Sequence, residues 1–157
     1  MNGEVNVRQL LATTAALLDQ GRLIDGLSRM LTAAALIGLM LWPVFGHPPL
    51  AAIAVLVLVA LAGAVELVFA VRVAFDATLF RRLATEAGAP SFGDLDAALV
   101  RLALLPPGKA GRPAAERALG AKRLLAWQGA ALVAQLALAL IGGVALALLT
   151  ALPMAGR

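Results

Sequence analysis

The sequence predicts an all-α integral membrane protein with three transmembrane helices, an N-terminal amphipathic helix and a helical cytoplasmic loop. Three observations predict it. Of 157 residues, 62% are hydrophobic and 14% charged, with a mean hydropathy of +0.92; a soluble domain averages roughly 45–50% apolar and about 25% charged. The apolar residues are gathered into three blocks, 30–45, 50–71 and 124–152, each near or above the ~20 residues that cross a bilayer once flanking residues are counted. The basic residues fall almost entirely on one side of these blocks. The chain therefore reads as one membrane domain, 1–157, divided into a surface helix 1–28, a first span 29–47, a second span 50–72, a cytoplasmic loop 73–123 and a third span 124–152.

In residues 5–18, Val7, Leu11, Ala15 and Leu18 recur at helical spacing, and Glu4 with Arg8 forms an i,i+4 pair, the pattern of an amphipathic helix at a membrane surface. Asp19, Gln20 and Gly21 break the phase, after which Leu23, Leu27 and Met30 resume an apolar stripe that feeds the first span. The first 30 residues also carry Arg22, Asp25 and Arg29, so no uninterrupted signal-peptide core is expected and the first span serves as its own insertion signal. Trp42 falls where an aromatic belt residue belongs. Gly46, His47, Pro48 and Pro49 predict a tight turn that makes the first two spans an antiparallel hairpin.

The second span's helix is expected to continue past Arg72 and Asp76 to Glu86 and to stop at Gly88 and Pro90. Ser91 and Asp94 then open a short amphipathic helix that runs through Leu95, Leu99 and Leu102 and ends at Pro106 and Pro107. Asp94 and Asp96 form a DxD, a spacing that can hold a divalent cation. At a helix start the acids are read as capping instead, since they complement the helix dipole. Pro113 suits the first position of a new helix that carries Arg117, Lys122 and Arg123 into the third span.

Residues 72–123 hold nine Lys or Arg and the first 29 residues three, whereas the turn after the first span holds none and the C-terminal tail only Arg157. By the positive-inside rule the N-terminus and the loop are cytoplasmic and the C-terminus outside. The preponderance of Arg and Ala suggests a bacterial inner membrane. Arg112, Arg117, Lys122 and Arg123, directly before a span, read as topology determinants that attract lipid headgroups rather than as a nucleic-acid surface.

Glu66 is the only charged side chain in the three apolar blocks, and an intramembrane ionisable residue is a functional candidate by default. It lies six residues from Arg72, ~9 Å of helix rise. Ala62, Gly63 and Ala70 around it are small and allow another helix to approach. Gln128, Gln135 and Gly142 recur at intervals of seven and share a face, so that face is expected to pack on the second span, with Gln128 or Gln135 bonded to Glu66 and Thr32 as a fourth member. Gly142 and Gly143 are both expected to permit close packing. The structural reading of this cluster is interhelical glue; the functional one is a proton or cation site, or contact with a partner helix.

No catalytic, metal or cofactor-binding set emerges. The chain has no Cys, no Tyr and one His, and it lacks a phosphate loop and a nucleophile elbow. The expected function is that of a non-catalytic accessory or structural subunit, embedded in the bilayer and bound to a larger membrane protein. The alternative is a homo-oligomeric proton or cation channel or transporter using Glu66.

Overall fold

A computed structural model describes residues 2–45, 49–86, 92–104, 106, 108 and 110–151. His47 and the turn around it, Gly88, Pro90, Ser91, Pro107, Arg157 and the side chain of Glu4 lie outside the described residues. Five helices follow in order: α1 (Asn2–Asp19), α2 (Gly21–Phe45), α3 (Leu50–Thr85), α4 (Phe92–Arg101) and α5 (Ala114–Ala151). There is no strand among the described residues. Three long helical stretches are apolar enough to cross a membrane: 5–42, which runs from α1 into α2, then α3, and the bulk of α5. The chain forms two compact units, Met1–Gln20 with Arg72–Leu125, and Gly21–Val71 with Ala126–Arg157.

The first unit has an apolar core. Leu11, Ala15 and Leu18 of α1 are buried with Val73, Ala77, Phe80 and Leu83 of α3 and with Ala114 and Ala121 of α5. Helix α1 therefore packs on protein instead of lying as a surface helix, and the helix breaks at Gln20, where the sequence loses phase. The Gln20 amide bonds the Leu17 carbonyl in a tight turn at 3.2 Å, so α1 ends at Asp19 and α2 starts at Gly21. The stripe expected to lie on lipid is used up against protein, because α3 and α5 present matching apolar faces. Arg81 of α3 pairs with Asp19 at the end of α1.

Helix α4 also ends earlier than the prolines suggest. The Leu104 amide bonds the Leu99 carbonyl at 2.9 Å and the Ala103 amide bonds that of Val100 at 3.0 Å, a Schellman motif whose left-handed position is Ala103, at φ 56°. An alanine there gives no sign in the sequence that the helix stops. Pro113 stands just before α5 rather than at its first position, and its carbonyl accepts from the amides of Glu116 and Arg117 at 3.1 and 3.3 Å.

The second unit joins α2, residues 50–71 of α3 and α5 from Ala126. Its interior contains Ala35, Ala52, Val59, Ala70 and Leu132, but also Ser28, Glu66, Gln128 and Gln135. Its exterior is Leu, Ile, Val and Met: Leu36, Ile37, Met40, Leu58, Leu61, Val65, Val133, Leu136, Leu140 and Ile141 are all exposed. Interior positions recur every seven residues, at Gly21, Ser28 and Ala35 in α2, Ala52, Val59 and Glu66 in α3, and Gln128 and Gln135 in α5. That is the period of helices wound in a left-handed supercoil.

Candidate functional site

Small residues bring the helices of the second unit close enough for polar side chains to reach across. A Cβ on Gly63 would stand 1.9 Å from Thr32 Oγ1 and 2.7 Å from Gln135 Nε2, so only glycine fits. A Cβ on Gly142 would meet Val55 Cγ1 at 2.4 Å, whereas one on Gly143 would meet nothing within 4 Å. Gly143 is therefore not a packing glycine, because it lies one step off the heptad face. Ala70 is buried and Ala62 half-buried on α3.

In the space so created, two polar layers stand seven residues apart on α5. In the first, Gln128 Nε2 donates to the Gly21 carbonyl at 2.9 Å and to Glu66 Oε1 at 2.7 Å. Of the two glutamines it is Gln128 that binds the carboxyl. In the second, Gln135 Nε2 approaches Thr32 Oγ1 at 2.9 Å, the Val59 carbonyl at 3.2 Å and the Ser28 carbonyl at 3.3 Å. Gln135 Oε1 accepts from Ser28 Oγ at 2.7 Å, and Thr32 Oγ1 donates to the Ser28 carbonyl at 2.8 Å. Thr32 thus belongs to the Gln135 layer and not to Glu66.

The layers differ in completeness. Every polar atom of Gln135 has a partner, while Glu66 Oε2 and Gln128 Oε1 are buried oxygens that have none among the described residues. Glu66, Gln128 and Gln135 are each 0% exposed. A buried acceptor left without a donor costs about 1–3 kcal/mol, so the first layer, that of Gln128 and Glu66, has unused capacity to accept hydrogen bonds among the described residues.

Sequence reasoning missed Ser28, whose signal was available: it lies one helical turn before Thr32 and seven residues after Gly21. Both glutamines meet α2 at the same offset of 107 residues, which makes α2 and α5 parallel and in register.

The first unit holds a second polar group. Asp96 is buried and accepts both of its close contacts to Arg117 from Nη2, at 2.8 and 2.7 Å, and a third from the Gly111 amide at 2.7 Å. Arg117 Nε donates to the Arg112 carbonyl at 2.9 Å, and its guanidinium lies 5.3 Å from the centroid of Phe92. The hydrogen bonds from Arg117 hold the Asp96 carboxyl below the usual carboxylate range, against the opposing effect of burial. Asp96 is therefore an ion-pair residue and not a helix cap. Arg117 is correspondingly committed to Asp96 rather than offered to headgroups, whereas Arg112, Lys122 and Arg123 are exposed. No group of three or more metal-ligating side chains occurs among the described residues.

No family model, no curated protein and no solved structure matches the chain.

Proposed function

We propose that this chain is a multi-pass membrane protein that acts as a non-catalytic structural subunit and holds larger membrane proteins against the apolar outer faces of its spanning helices. The observation that carries the reading is the direction of Glu66. It points into the unit, bonded to Gln128, while Leu58, Leu61, Val65, Val133 and Leu136 point out. The one acidic side chain of the three apolar blocks is spent on internal cohesion, and the surface left for recognition there is aliphatic. Residues 50–71 of α3 span about 33 Å at 1.5 Å per residue, close to the ~30 Å of a bilayer's hydrocarbon. Twelve Lys and Arg on one side against one on the other support a cytoplasmic N-terminus and 73–123 segment and an outer C-terminus, in a bacterial inner membrane.

Purification of the tagged protein from its own membrane in mild detergent, with mass spectrometry of what accompanies it, tests this. Stoichiometric recovery of a larger membrane protein is expected; recovery of a homo-oligomer alone overturns it.

A second reading draws on Glu66 Oε2 and Gln128 Oε1, which have no hydrogen-bond partner among the described residues: the two oxygens are suited to a small cation, and the Glu66 carboxyl alone to a proton. The burial of Glu66 weighs against a ring of such residues around a pore between copies. Proton flux in liposomes that Glu66→Gln abolishes would favour this reading over the structural one.

A further inference from the structure

The first unit carries an open groove of about 730 Å³ between α4 and residues 110–113. Its walls are apolar, formed by Phe92, Ala97 and Val100 on one side and Pro113 on the other, and Arg101 and Arg112 line it as well. Asp96 is the one acid of the lining, and its carboxylate is already occupied by Arg117 and the Gly111 amide. Arg101 and Arg112 are exposed, and neither side chain has an ion pair or hydrogen bond among the described residues. Immediately beyond Arg101 the Schellman turn displays Leu102 and Leu104, 67% and 60% exposed. Two unpaired guanidinium groups, an apolar trough and two projecting leucines call for a ligand with an anionic head and a hydrocarbon body. Arginine suits a phosphate head because its planar fork matches the phosphate oxygens.

Resting on the membrane reading above, we infer that this groove binds an anionic phospholipid, its phosphate held by Arg101 and Arg112 and the start of an acyl chain laid on Ala97, Val100 and Pro113. Leu102 and Leu104 enter the same leaflet beside it. The basic residues of the 73–123 segment then act in two ways: Arg117 folds α4 onto α5, and Arg101 and Arg112 hold the lipid. A zwitterionic lipid lacks the net charge to hold both arginines, and free phosphate lacks the hydrocarbon.

The full-length protein in detergent, incubated with phosphatidylglycerol or phosphatidylcholine, is examined by native mass spectrometry for retained lipid. Phosphatidylglycerol is expected to be retained preferentially. The double variant R101A/R112A is expected to lose about 30-fold in its retention, each arginine contributing about fivefold. Ala97→Glu, at an exposed position that leaves both arginines in place, should also weaken retention by putting a carboxylate in the trough. Equal retention of the two lipids, undiminished binding in both variants, or displacement by millimolar inorganic phosphate overturns the inference. Resistance of the same protein to alkaline carbonate extraction separates the two levels: a protein released by carbonate sinks the membrane reading, whereas an integral protein without lipid preference sinks only the groove.

Discussion

In the unit formed by Met1–Gln20 and Arg72–Leu125, leucine, phenylalanine and alanine lie inside and Arg81, Lys122 and Arg123 outside; in the unit formed by Gly21–Val71 and Ala126–Arg157, serine, glutamate and glutamine lie inside and aliphatic side chains outside. Both interiors contain apolar residues, but the second unit also buries four polar side chains beneath a largely aliphatic exterior. The arrangement of the first unit is what water enforces, since removing apolar area from water stabilises the core. The second suits hydrocarbon, where an aliphatic exterior costs nothing and helices adhere through close backbone approach and interhelical hydrogen bonds. Each unit also has a point of tight constraint: the first buries Asp96 against Arg117, and the second buries Gly63 where a side chain would be expected. These are the sensitive points.

The largest effect is expected at Gly63. Gly63→Leu forces atoms into the space of Thr32 Oγ1 and Gln135 Nε2, and overpacking added to a broken polar layer should exceed about 3 kcal/mol; loss of the folded protein from detergent extracts measures it. Gly143→Leu, with open space around it, is the control and should be silent. In the first unit, Arg117→Ala strands the buried Asp96 carboxylate, for a loss of about 3 kcal/mol read from thermal unfolding. Arg117→Ala with Asp96→Ala should restore most of that loss if the stranded charge is the cause.

Gln128→Leu should cost less, about 1–2 kcal/mol, because interhelical hydrogen bonds in membranes are individually modest. Adding Glu66→Leu should cost less than the sum of the two single changes, and strict additivity would show that the pair is not coupled. Acid should act on the first unit through two carboxyls of opposite sign, Asp96 and Asp76. Asp96 has its folded pKa lowered below the ordinary value of 3.8, so its contribution is complete above that value and is lost as pH falls through the folded pKa. Asp76 acts in the opposite sense, because burial raises its pKa to about 6 against the pull of Arg72; stability should therefore rise as pH falls from 7 through 6 and decline below about pH 4, and Asp96→Asn should remove that decline. The smallest effect is a gain: Ala103→Gly relieves a left-handed alanine and should add about 0.5–1 kcal/mol to the melting of the first unit.

The sequence made the three apolar helices legible because unbroken hydrophobic runs have few other uses. The seven-residue recurrence of Gln128 and Gln135 also pointed to a shared face. What the sequence withheld were properties of partners rather than of residues. The stripe of Leu11, Ala15 and Leu18 is the same whether it meets lipid or Phe80, so the destination of α1 depended on α3. Asp96, two residues after a helix-starting acid, has the local pattern of a cap, and nothing nearby announces an arginine 21 residues on. The carbonyls of Gly21 and Val59 that receive the two glutamines belong to every residue type and leave no trace in composition. Ser28 could have been found by extending the heptad test from α5 to α2.

The constant offset of 107 residues between α2 and α5 also bears on the order in which the chain is made. Synthesis delivers α2 and α3 first, and until α5 follows, Ser28, Thr32 and Glu66 face no amide. A one-heptad slip of α5 would set Gln128 beside Ser28 but leave Gln135 against Ala35, which offers no side-chain partner. The last helix therefore sets the register: a misaligned α5 leaves part of the polar face of α2 and α3 unanswered.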